Sequence, residues 1–225
     1  MKLFKYGLVL KRIGPEDIEL VREKRNSQHI REAMHYRDYI TEEEQKAWFI
    51  RINNINNFYY LIIYRDEAIG LFNEKNINWE ERTSETGLFI WDERYLDTHI
   101  PLMASLMLSE MGFYVFGGKA SYVSVLRDNH KALSYIRSFG YVRCEGQEEN
   151  ELQRFVLTRE AFEAGGSRLL RAMERLYPSE KVLAMLLEPK DYENGTGQAL
   201  EDAFGRSVLK VRRAEDERGK WFYYP

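Results

Sequence analysis

The chain has 225 residues, 44% of them hydrophobic, and a formal net charge of −3. That length is one large domain or one domain with a small addition, and the near-neutral charge gives no long-range pull on a polyanion, so nucleic acid is not an expected partner. The single cysteine, Cys144, excludes an internal disulfide framework and a cysteine-based zinc site, His29, His35, His99 and His130 show no metal-ligand spacing, so no metal is expected, and no apolar run approaches the ~20 residues of a membrane span.

Met1 to Leu10 reads as an edge strand, too short and interrupted for a secretory signal, so a cytoplasmic protein is the expectation. Gly14-Pro15-Glu16-Asp17 opens a helix, with proline and two acids in its first turn. A second helical stretch surrounds Ile30 to Met34, and Thr41 with Glu44 forms a capping box for a third helix carrying Trp48 and Phe49. The period then changes to strands at Phe58–Tyr64, Ala68–Asn73 and Glu85–Trp91. Thr98 to Phe116 is helical, with Met103, Leu106, Met107 and Met111 on one face, and Gly117-Gly118 ends it. Lys119–Arg127 is a strand, Asn129–Phe139 a helix stopped by Gly140, and Tyr141–Glu145 with Leu152–Leu157 a hairpin. Beyond Arg159 the expected order is a helix to Leu176 hinged at Gly165-Gly166, a strand at Lys181–Glu188, a helix at Gln198–Phe204 and a strand at Ser207–Val211. Trp221–Tyr224 then closes a hairpin. The fold class is α+β: a mixed, largely antiparallel sheet flanked by helices over 1–158, with a small C-terminal α/β appendage over 159–225.

Val125-Leu126-Arg127-Asp128-Asn129-His130-Lys131-Ala132, running on to Phe139-Gly140-Tyr141, resembles the GNAT superfamily of N-acyltransferases. That family ends its fifth strand with Asn, places Ala three residues later, and finishes the next helix with Gly and an aromatic. Arg25-Asn26, Ile40-Thr41-Glu42-Glu43 and Trp48 are similar to the branch containing ribosomal-protein and amino-sugar acetyltransferases, and Glu85-Thr86-Gly87-Leu88-Phe89-Ile90 is similar to the family's fourth strand.

The resemblance implies transfer of an acetyl group from acetyl-CoA to a primary amine by direct attack. The acceptor would be an amino-sugar nucleotide, a protein N-terminus or a small amine. The family's fourth and fifth strands splay, and the donor lies in the wedge along the fourth-strand edge, here Phe89, Ile90 and Trp91. The resemblance places its pyrophosphate at the following helix start, among Arg94, Thr98, His99 and Ile100, with Asn129 nearby. Glu85 would be the base, with burial raising its pKa, and Tyr135 the acid. Arg25, Arg31, Tyr36 and Tyr39 would hold the acceptor. Two positions depart from the family: the small residues of the pyrophosphate loop fall on His99 and Pro101, and Ile136 stands where many relatives have the acid Tyr. A non-catalytic binding or assembly module, and a transferase using a different acyl donor, therefore stay open. Trp221-Phe222-Tyr223-Tyr224 leaves two readings open, packing across a homodimer or against its own sheet.

Overall fold

A computed structural model describes residues 1–207 and 209–225, and their strands form one mixed sheet of eleven. In chain order these are β1 (Lys2–Lys5), β2 (Leu8–Arg12), β3 (Phe58–Tyr64), β4 (Glu67–Asn78), β5 (Thr83–Ile90), β6 (Ala120–Leu126), β7 (Val142–Arg143), β8 (Leu152–Thr158), β9 (Leu183–Leu187), β10 (Arg212–Asp216) and β11 (Gly219–Tyr224). Their order across the sheet is β10-β11-β9-β1-β2-β3-β4-β5-β6-β8-β7, and every neighbouring pair is antiparallel except β5 with β6.

Helices α1 (Ile18–Asn26), α2 (Gln28–Ala33) and α3 (Glu42–Ile52) cover one face, burying Val21, Ile30, Phe49 and Ile52 against Leu61, Leu71 and Trp91. The other face carries α4 (Ile100–Glu110), which runs on as a wider π turn over Met111–Val115. Met103, Leu106, Met107 and Met111 are all buried, as their spacing predicts. Beside α4 lies α5 (His130–Phe139), capped by the Asn129 side chain at one end and by left-handed Gly140 at the other.

The N-terminal strand is not at an edge. Tyr6 and Gly7, both at positive φ, turn the chain back, so Met1 to Arg12 forms a hairpin, and β9 pairs with the outer side of β1. The cause lies far along the chain: Leu183-Ala184-Met185-Leu186-Leu187 is buried on both faces and needs a sheet edge to join. The C-terminal segment supplies α6 (Arg159–Ala161), a π turn at Phe162–Gly166, α7 (Ser167–Leu176), α8 (Pro189–Glu193) and α9 (Thr196–Ala203). The Gly165-Gly166 hinge is thus a widened turn inside one continuous helical run. Of the expected strand at 207–211, Val208 lies outside the described residues; the strand that pairs with β11 begins at Arg212. Trp221 and Tyr223 stack on each other beside Phe4, within the chain's own sheet.

Beneath this joint lies a sealed ion pair. Lys5 Nζ donates to Glu110 Oε1 at 2.6 Å and Oε2 at 2.7 Å, tying β1 to the end of α4. Both side chains are almost fully buried. Removing one partner strands a desolvated charge, whereas replacing both with apolar groups of similar size does not. Lys5→Met is expected to lower unfolding free energy by about 3–5 kcal/mol in urea denaturation, and adding Glu110→Leu to recover most of the loss.

Candidate active site

The sheet opens at its one parallel junction. β5 and β6 pair at Thr83↔Ala120, Ser84↔Ser121 and Glu85↔Tyr122, and no further. Beyond that point each strand keeps its outer partner: β5 follows β4 as far as Gly70↔Ile90, and β6 follows β8 as far as Leu126↔Leu152. The inner edges of Thr86–Ile90 and Val123–Leu126 therefore part into a wedge. Gly70 lets β4 hold β5 on the outer side, because a Cβ there would stand 2.7 Å from the Phe89 carbonyl oxygen. The Trp91 and Asp92 amides both donate to the Ile69 carbonyl, at 3.0 and 3.2 Å, and end the strand.

The residues expected at the wedge divide by their contacts. Phe89 lies on the α1–α3 face, with the Arg25 guanidinium 5.8 Å from its ring. Ile90 packs into the core on the α4 side. Trp91 is a core residue whose Nε1 donates to the Ala68 carbonyl at 2.7 Å; its backbone N–H is committed to Ile69 and is not free to polarise a carbonyl. Asn129 Oδ1 accepts from the Ala132 amide at 3.1 Å, so the Asn-x-x-Ala spacing is the cap that starts α5 at the wedge mouth.

At the start of α4, Pro101 has no N–H and the Ile100 amide donates to Thr98 Oγ1 at 3.2 Å. The Arg94 guanidinium, 66% exposed, is engaged by Asp92 and Glu67, each at 2.6 Å. Asp97 pairs with Lys131 at 2.7 Å, which offsets its charge beside the helix start. His99 Nε2 lies 2.6 Å from the hydroxyl of Tyr177, so the C-terminal segment reaches this loop. Sequence reasoning missed that contact, which joins positions 78 residues apart.

Glu85 sits at the last β5–β6 pair. It is not deeply buried: its side chain is 35% exposed, with Lys75 Nζ at 3.6 Å and Arg154 at 3.8 Å, and Asn76 Nδ2 donates to it at 3.1 Å. Arg154 also lies 4.1 Å over the Tyr122 ring, which fixes the cation beside the junction. The Tyr135 hydroxyl bonds Ser105 Oγ at 2.7 Å and donates to the Pro101 carbonyl at 3.0 Å. It clamps α5 to α4, and burial raises its pKa far above the ordinary tyrosine value. Ile136 is buried against Val125 and Phe155.

The acceptor candidates gather on the α1–α3 face. Desolvation holds Arg25 below its ordinary pKa, and its Nε has no hydrogen-bond partner. Arg31 Nε donates to the Arg37 carbonyl at 2.7 Å, and the Tyr39 hydroxyl accepts from Arg22 at 3.2 Å. Tyr36 and Tyr39 are exposed. The acidic hairpin tip is partly neutralised, with Glu148 on Arg143 and Glu149 near Arg127.

The desolvated carboxyl of this region is Glu74, on the opposite face of β4, paired across to Thr86. Its Oε2 is shut off from solvent without a hydrogen-bond partner. Burial pushes its pKa up to about 7, partly opposed by the hydroxyls of Ser84 and Thr86. Tyr141 lies beside it, its own hydroxyl raised chiefly by burial. Alternation from the buried Phe72 places Glu74 inward, and that signal was available in the sequence.

A family model described as an acetyltransferase (GNAT) domain matches residues 7–142. The chain belongs to the GNAT acetyltransferase family. Among solved structures, a spermidine N-acetyltransferase from Vibrio cholerae, in complex with CoA and spermine, is similar with a TM-score of 0.61 at 15% identity, over 70% of this chain and 98% of that one. A domain from Methanocaldococcus jannaschii is similar with a TM-score of 0.57 at 18% identity, over 67% of this chain and 97% of that one. At such identities the likeness is one of fold. No curated protein is significantly similar in sequence. As a GNAT member the chain is an acyltransferase of a family that uses acetyl-CoA, and its residues from 143 onward lie outside the family match.

Glu74 sets a pH dependence for this GNAT chain. Its folded pKa lies above the unfolded value near 4.5, so the native state holds the extra proton between about pH 4.5 and 7. Its contribution is fully present below pH 4.5 and is lost as pH rises through about 7. Glu74→Gln is expected to flatten the fall in urea stability between pH 5 and 8 by on the order of 2–3 kcal/mol. An unchanged slope would refute the assignment.

Proposed function

We propose that the chain transfers an acetyl group from acetyl-CoA to a primary amine held on the α1–α3 face. The observation that carries this is the parting of β5 and β6 after three residue pairs, which leaves backbone edges for an extended thioester arm. Acetyl-CoA supplies the activated acyl carbon. The chain's own residues position, deprotonate and exclude water.

Glu85 stands at the apex, oriented by Lys75, Asn76 and Arg154. In this reading it takes a proton from the substrate ammonium through water, freeing the nitrogen lone pair. The nitrogen then bonds to the carbonyl carbon, and the carbon–sulfur bond breaks. The second nitrogen proton reaches the leaving sulfur through solvent, because the Tyr135 hydroxyl is already engaged by Ser105 and Pro101. Arg25 and the two exposed tyrosines, Tyr36 and Tyr39, line the acceptor side. An amino-sugar nucleotide would use that guanidinium for a phosphate, while a small amine would lie nearer Glu85; the spermine bound by the Vibrio cholerae neighbour is an amine of the second kind.

The start of α4 favours a second reading, a GNAT-fold module that does not bind CoA, because Pro101 lacks an N–H and the Ile100 amide is taken by Thr98. A thermal-shift titration separates the two. Binding to the native state stabilises by RT ln(1 + [L]/Kd), about 2.7 kcal/mol at a hundredfold excess, so acetyl-CoA is expected to raise the melting midpoint by several degrees. No shift at millimolar acetyl-CoA would overturn the transferase reading. If it binds, Glu85→Gln is expected to lower kcat by about 10²-fold or more, with the acetyl-CoA affinity unchanged. Full activity in that variant would remove Glu85 as the base.

A further inference from the structure

A second recess lies at the far end of α4, away from the wedge mouth. From Ile100 to Val115 the helix and its π turn carry the chain about 24 Å along the sheet. Beneath that distant end is a cavity of about 80 Å³, with room for roughly five or six water-sized atoms. Its walls are largely apolar, with the rings of Phe58, Tyr60, Phe113 and Phe116 among them. Among the described residues, Glu74 is the one acidic side chain of its lining and Arg82, at the surface, the one basic side chain; the N-terminal ammonium of Met1, which also lines it, is engaged by Glu188 and Asp191.

Three observations mark the recess as a built site. The helix above it widens into a π turn over Met111–Val115, a distortion that frequently accompanies function. Leu200, from the segment outside the family match, closes one side, and Phe204 stacks on Phe116 behind it with ring centroids 5.9 Å apart. Among the described residues, Glu74 Oε2 and Ser121 Oγ at this end are buried without hydrogen-bond partners. An apolar void alone would need no carboxyl group, and a carboxyl in an apolar wall either takes up a proton or recruits a cation.

We propose that this cavity, which lies beneath the paired base of β5 and β6 and not in the open wedge beyond it, is a second ligand site, and that it takes a small primary ammonium ion with a short aliphatic body, paired to Glu74. The ammonium compensates the buried charge, the aromatic rings favour a cation beside their faces, and the aliphatic part fills the apolar wall. The desolvated state of the Glu74 carboxyl fits a group lacking its counter-ion.

The test is a titration of the full chain with isobutylammonium chloride, followed by the methyl resonance of Met111, which lines the cavity, against that of Met103, which does not. Saturable movement of Met111 with Met103 unmoved is expected, with isobutanol binding at least about 10-fold more weakly. Glu74→Gln is expected to erase the preference for the amine, and Leu200→Phe, which fills the recess, to abolish binding of both probes. Failure of Met111 to respond at tens of millimolar amine would overturn the proposal. So would equal binding of amine and alcohol, or an amine affinity unchanged by Glu74→Gln, since the recess would then be a plain apolar void.

Discussion

Everything on this chain that bears on transfer chemistry follows from where hydrogen bonding between β5 and β6 stops. The two strands are parallel neighbours for three pairs, and each then stays with its antiparallel partner. Antiparallel pairing is slightly stronger per residue, so the interior junction is where the sheet yields. Gly70 on one side, and the full seven-residue ladder of β6 with β8 on the other, decide the direction in which each strand leaves. Glu85 and Tyr122 mark the apex, α4 and α5 begin near the open end, and the chemistry is placed by backbone topology before any side chain is considered.

The C-terminal segment changes that plan without disturbing the wedge. Its strands lengthen the sheet on the side remote from the opening, and its helices α7 and α9 share the α4 face. The segment touches α4 at both ends, through Tyr177 on His99 and through Ser207 Oγ on the Tyr114 carbonyl at 3.3 Å. The helix that begins at the proposed donor loop is therefore held by residues the family model does not contain.

Much of the core was legible in the sequence, because period-2 and period-3.6 patterns record burial. The α4 methionines, the Thr41 capping box and the Gly140 stop are local signals, and each is realised. What was not legible depends on distant pairing. Met1 to Leu10 looks like an edge because nothing nearby says that Leu183–Leu187 will join it. Glu85 looked buried because its position in a strand resembles the family's; its cations come from Lys75 and Arg154, which only the sheet register brings near. Glu74 carried a readable inward phase, yet a single acid among polar neighbours gave no reason to weigh it above Glu85. The roles of Tyr135 and Trp91 turned on where their polar atoms are satisfied, and that is a property of neighbours in space.

The two outermost strands bear on how this protein meets other chains. One rim is only two residues long, Val142–Arg143, and the other, Arg212–Asp216, is exposed along its whole length with arginines at one end and acids at the other. Short and charged rims resist recruitment of a foreign strand. A sheet this wide would otherwise be a template for endless lateral growth. The sheet's free backbone edges are instead concentrated inside it, at the notch where two neighbours have already let go of each other.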